Sequence, residues 1–138
     1  MSSKTYSLDF DRHHIKSTEL PDWSGIYCIY AFRHNDFKTS FYARGLLYIG
    51  ESKNIRDRVS NHEHRKDWES NLQNNEVLLF RAASISPKED RERAEAAMIY
   101  HHKPPCNEEH KDSFPFDETT IQISGNTEHL TTHFTVGN

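Results

Sequence analysis

Leu46-Leu47-Tyr48-Ile49-Gly50-Glu51-Ser52-Lys53-Asn54-Ile55-Arg56-Asp57-Arg58-Val59 changes its periodicity halfway along. Residues 45–49 (GLLYI) are apolar and rich in residues that suit a pleated surface, which predicts a strand. Gly50 to Asn54 is turn-like. Asn54 is then placed to cap a helix, with Asp57 three residues later as an acid in the first turn. Ile55 and Val59, at i and i+4, form its inward stripe, and the helix is expected to run to about His64.

Upstream, Pro21-Asp22-Trp23-Ser24-Gly25 reads as a turn and 26–32 (IYCIYAF) as a strand, expected to pair antiparallel with 45–49. The polar segment between them, 33–44 (RHNDFKTSFYAR), reads as an insertion between strands. Downstream, 65–75 is polar and reads as a short helix or a loop, and 76–83 as a third strand. Ser86-Pro87-Lys88-Glu89 has the form of a helix start, with Ser86 as cap and Pro87 at the first helical position. Ala94, Ala97 and Met98 face inward, and Pro104-Pro105 stops that helix. Alternation over 120–124 and 132–136, joined through Gly125-Asn126, predicts a β-hairpin. Residues 1–20 read as an irregular N-terminal arm, 21–113 as the core domain with an insertion at 33–45, and 114–138 as a hairpin packed on the same domain. The fold class is α+β: a small, mostly antiparallel three-stranded sheet flanked by helices, with a C-terminal β-hairpin.

At 138 residues and 34% apolar content the chain is expected to be one globular domain. No apolar run approaches the roughly 20 residues that span a bilayer, and the N-terminus has no secretory core. Cys28 and Cys106 have neither metal-ligand spacing nor a disulfide framework, which fits reduced thiols and a cytoplasmic location. The ten histidines show no spacing of a closed zinc site. Net charge is −4, yet residues 33–66 carry eight Lys/Arg against four acids, while 67–138 carry six against thirteen. The basic surplus is either a phosphate-facing surface or an ordinary solvated face.

Several side chains can carry chemistry. Tyr27 and Tyr48 lie on the two strands expected to pair, where their hydroxyls can reach one site; strand packing is the plainer reading. Arg58 and His62, at i and i+4, share a face if the helix continues, offering a phosphate fork and a group that moves protons near neutral pH. Glu95, among small and apolar neighbours in the third-strand helix, suits a hard divalent ion that keeps most of its waters, or else an exposed helix face.

The run GIY (25–27), then LLYIGESKNIRDRV (46–59), then AEAAMIYHHKPPCN (94–107) resembles the signature of the GIY-YIG nucleases in its family order. The resemblance covers about residues 24–107 and implies a metal-dependent DNA endonuclease. In it Tyr27 is the general base or the group that positions the attacking water, and Tyr48 bonds that tyrosine or the phosphate. Arg58 holds the scissile phosphate, His62 assists proton transfer, and Glu95 binds one Mg²⁺ or Mn²⁺. Gly25, Gly50 and Asn107 support the site. Lys53, Asn54 and Arg56 at the helix entrance are expected to approach the DNA backbone, as are Lys38 and Arg44 in the insertion, where basic residues alternate with aromatics. The implied partner is double-stranded DNA, and cutting both strands needs a homodimer or two visits. The rival readings are a catalytically silent nucleic-acid-binding module of the same fold, whose mark is erosion of the catalytic set, and an interaction protein whose acidic second half meets a basic partner.

Overall fold

Every side chain from Gly25 to Phe32 is buried, so the strand that contains them must be covered on both faces. It is the middle strand of a sheet in a computed structural model that describes residues 2–33 and 43–137. In chain order the elements are β1 (Lys4–Phe10), β2 (Gly25–Arg33), β3 (Gly45–Ser52), α1 (Ile55–Ser60), α2 (Arg65–Ser70), β4 (Glu76–Ser84), α3 (Lys88–His102), β5 (Thr119–Gly125) and β6 (His133–Val136). The central sheet has the order β3-β2-β4 with both pairings antiparallel. The class is the expected one.

Alternate residues of β2 divide the core. Ile26, Cys28, Tyr30 and Phe32 pack with Ala94, Ala97 and Met98 of α3 and with Leu8, Phe10, Ile121 and Phe134. Tyr27, Ile29 and Ala31 pack on the other face with Ile55, Val59 and Trp68 of α1 and α2.

The hairpin β5–β6 forms as expected, with Gln122 opposite His133, and it gains a third strand. Residues 4–10, expected to be irregular, pair in parallel with β5, from Lys4 opposite Thr119 to Phe10 opposite Gly125. Tyr6, Leu8 and Phe10 face the core and alternate with exposed Thr5, Ser7 and Asp9, a period-two pattern that the sequence reading passed over.

Two helix boundaries differ from expectation. Helix α1 stops at Ser60 rather than near His64, because the Asn61 side chain donates to the Asp57 carbonyl at 3.1 Å and the backbone leaves the helical region. Arg58 and His62 therefore do not share a helix face. Helix α3 opens at Lys88 with Pro87 as its cap residue, so Ser86 is not the capping side chain. Its end agrees with the reading: Lys103 takes a left-handed conformation, with φ at 49°, just before Pro104.

The loop between β5 and β6 grips the chain where β3 approaches. Ala43 donates its main-chain N–H to Glu128 Oε2 (2.6 Å), and its carbonyl accepts from His129 Nε2 (2.6 Å). The other Glu128 oxygen accepts from the buried Arg81 guanidinium at 2.5 Å. Among the expected insertion residues, His34, Lys38, Phe41 and Tyr42 lie outside the described residues.

Candidate active site

The strand register places the two tyrosines on one face. Tyr27 lies opposite Gly50 and Ile29 opposite Tyr48, so the phenols are diagonal neighbours, with ring centroids 6.2 Å apart. Gly50 makes the arrangement possible. A Cβ there would stand 2.3 Å from both Cζ and Oη of Tyr27, so the phenol lies across a position that admits no side chain. Gly25 is equally confined, since a Cβ would meet the Ala83 carbonyl oxygen at 2.1 Å. Asn107 supports the outer edge of β3. Buried, it accepts the Ile49 N–H and donates to the Ile49 carbonyl, both at 2.9 Å, as a strand partner would.

Tyr27, Tyr48, Arg58 and Glu95 border one cavity of about 340 Å³, together with Glu51, Glu63, His64, Ile99, Glu108 and Glu109. β3 is an edge strand, so side chains from both faces of the sheet can meet beyond its end. His62 stands behind the tyrosines, 4.6 Å from Trp68 between ring centres, and its Nε2 lies 2.9 Å from Tyr27 Oη. The His64 main-chain N–H donates to His62 Nδ1 at 3.1 Å, which leaves the proton of the neutral ring on Nε2. His62 therefore donates to Tyr27, and the phenol keeps its own proton for another acceptor.

The electrostatics favour neutral groups at the centre. Burial lowers the His62 pKa to about 4, with Arg58 adding to the shift. Burial also holds the Tyr27 phenol well above the usual tyrosine range, assisted by Tyr48 and opposed by Arg58. Tyr48 is pushed up to about 12 by burial and then by Glu95. Glu95 rises to about 8, through burial first and then the charges of Glu51 and Glu109, while a main-chain hydrogen bond from Glu51 pulls the other way. Arg58 is gripped by Glu63 in a two-point pair, Nη1 to Oε1 at 2.6 Å and Nη2 to Oε2 at 2.9 Å.

The other expected contacts are dispersed. Lys53 and Asn54 border a second hollow that also touches Arg58, and the Asn54 side chain is occupied as the α1 cap, accepting from Asp57 at 3.1 Å. Arg56 donates to the Leu20 carbonyl at 2.7 Å. Arg44 pairs with Glu76 at 2.5 Å and also reaches the Asn71 carbonyl at 2.8 Å, at the opposite end of β3 from Ser52. The sequence reading missed Glu51, Glu63, His64, Glu108 and Glu109. Only Glu51, which directly follows Gly50, carried a positional signal.

The family model described as the GIY-YIG catalytic domain matches residues 26–110. This chain belongs to the GIY-YIG family. That membership makes it a GIY-YIG-type endonuclease. Among solved structures it is similar to the GIY-YIG N-terminal endonuclease domain of UvrC from Thermotoga maritima, a point mutant bound to its catalytic divalent cation. The identity is 15% and the TM-score 0.45, covering 67% of this chain and 90% of that one. No curated protein matches the chain. Among the described residues, no helix is long and apolar enough to cross a membrane.

Proposed function

We propose that this GIY-YIG protein hydrolyses phosphodiester bonds in double-stranded DNA in a reaction that depends on a divalent metal ion. The observation that carries the reading is the convergence of Tyr27, Tyr48, Arg58 and Glu95 on one cavity, with His62 bonded to Tyr27. Lys53, on the neighbouring hollow, is the basic side chain best placed to meet an adjacent phosphate.

The donor set suits a hard divalent ion. Glu95 is an inner carboxylate whose proton affinity is raised by burial and by neighbouring carboxylates, and a cation relieves that stress. Among the described residues no cluster of three or more His, Cys, Asp or Glu is arranged to hold a metal, so Glu95 would be the direct ligand and water the rest, as Mg²⁺ or Mn²⁺ allows. When bound, the ion would act as a Lewis acid toward phosphate oxygens.

The chain's own residues do the following. The Arg58 fork, once released by Glu63, binds two oxygens of the scissile phosphate and offsets the charge that builds there. Tyr27 Oη accepts a hydrogen bond from His62 Nε2–H, which fixes the neutral phenol in place. A remaining lone pair on Oη accepts from the attacking water and aims it at phosphorus. Tyr48 packs beside Tyr27 and presents a second neutral phenol to the phosphate.

Plasmid nicking with Mg²⁺, with and without chelator, tests the reading on wild type and on Tyr27→Phe, Arg58→Ala and Glu95→Ala. Each variant is expected to lose at least about 10²-fold in rate. Undiminished cleavage by Glu95→Ala removes the metal role. DNA binding without any cleavage by the wild type favours the silent binding module instead.

A further inference from the structure

The carboxylates around the cavity fall into two groups. Glu63, Glu108 and Glu109 are exposed at the rim, whereas Glu51 has only 21% of its side chain exposed and sits beside Glu95. Glu51 is the residue after Gly50, at the end of β3. Its Oε1 is bonded by Arg91 Nε, a guanidinium with 9% of its side chain exposed. Its carboxylate borders the cavity together with that of Glu95.

Arg91 precedes Glu95 by four residues on α3, one turn along the same face. Arg91 Nη1 also donates to Ser24 Oγ (3.0 Å), and that hydroxyl donates to the Ile85 carbonyl (2.6 Å). A single buried guanidinium thus joins the start of β2, the end of β3 and α3, the elements that deliver Tyr27, Tyr48 and Glu95. Glu51 and Glu95 border the same cavity. Buried ion pairs are a poor source of net stability, because desolvation cancels most of the attraction. What this one does supply is position, and a positive charge that lets two carboxylates face the same space.

We propose that Glu51 is the second carboxylate of the metal site, a positioning residue locked by Arg91 that orients the water shell of the ion held by Glu95. The inference rests on the reading of Glu95 as metal ligand. Residues that orient ligands and waters around a metal characteristically change its affinity by about 10- to 100-fold when altered.

The test is Mn²⁺ titration of the full chain without DNA, followed by electron paramagnetic resonance of the free ion, for wild type, Glu51→Gln, Arg91→Lys and Glu95→Gln. Glu51→Gln is expected to weaken Mn²⁺ binding by about 10-fold or more and to lower kcat with little change in KM for DNA. Arg91→Lys, which keeps the charge without the fork, is expected to fall between Glu51→Gln and wild type. Urea denaturation of the same variants separates a purely structural role, which shifts stability and leaves Mn²⁺ affinity alone. Glu51→Gln binding Mn²⁺ like wild type, while Glu95→Gln has lost it, overturns this inference and leaves the Glu95 assignment standing. Wild-type affinity in Glu95→Gln overturns both.

Discussion

Replacing Gly50 by alanine tests the site at its tightest point. The added methyl would lie 2.3 Å from Tyr27 Cζ and Oη and 2.8 Å from Cε1, whereas ordinary contact begins at 3.4 Å. The phenol and β3 must therefore part by roughly 1 Å to escape the steep repulsive wall of the contact. Tyr27 cannot swing aside, being 1% exposed and flanked by Tyr48 and His62. Overpacking of this kind costs about 1–3 kcal/mol. A displacement of about 1 Å in a group that positions the attacking water costs on the order of 10²-fold in rate. Single-turnover nicking under saturating Mg²⁺ measures the second quantity and urea denaturation the first. Gly45→Ala is the control, since a Cβ there meets nothing within 4 Å; it is expected to leave both near wild type. Adding Tyr27→Phe to Gly50→Ala removes the Oη clash and keeps the Cζ clash, so stability recovers only in part. Wild-type nicking by Gly50→Ala would refute the claim that the glycine exists to seat Tyr27.

Asn107→Ala strands the Ile49 N–H and C=O in a buried setting, and about 2–4 kcal/mol of stability is expected to disappear in urea denaturation. Glu63→Gln loosens the grip on Arg58 and is expected to tighten DNA binding severalfold by fluorescence anisotropy; unchanged or weaker binding would instead make Glu63 a necessary support for the arginine. Glu95 has a folded pKa of about 8 against an unfolded value near 4.5, so its contribution is full below 4.5 and is lost as pH rises through 8. In chelator, Glu95→Gln is thus expected to melt above wild type at pH 8, with the difference shrinking toward pH 4.5. Added Mg²⁺ should raise the melting temperature of wild type and leave that of Glu95→Gln unmoved.

Most of the central sheet was legible because its signals are local. Residues 26–32 and 45–49 are apolar and β-prone, and the Asn54 cap with Ile55 and Val59 announces α1. The motif order pointed to Tyr27, Tyr48, Arg58 and Glu95, though only the register shows why Gly50 must face Tyr27. The Arg58–His62 spacing misled for a physical reason. Asn61 ends the helix with its own side chain, and His62 reaches Tyr27 from a turn instead. Strand β1 carries a short period-two alternation, Tyr6-Ser7-Leu8-Asp9-Phe10, but its pairing was not legible because its partner lies over a hundred residues away. The Arg91–Glu51 pair was invisible for a similar reason: forty residues separate its members, and neither charge breaks a pattern in its own neighbourhood.

The clasp on Ala43 bears on how this fold can change. Both main-chain groups of that alanine are satisfied by Glu128 and His129, and the next residue, Arg44, donates its N–H to the Ala31 carbonyl at 2.8 Å. The strand that carries Tyr48 is thus anchored at its entry point, and a one-residue shift between the Tyr30–Leu46 and Ile29–Tyr48 pairs then sets the tyrosine's own register. Whatever precedes Ala43 can then be lengthened, shortened or exchanged without sliding the tyrosine along its partner. The entry to the strand is thereby fixed by contacts from the β5–β6 loop, far along the chain.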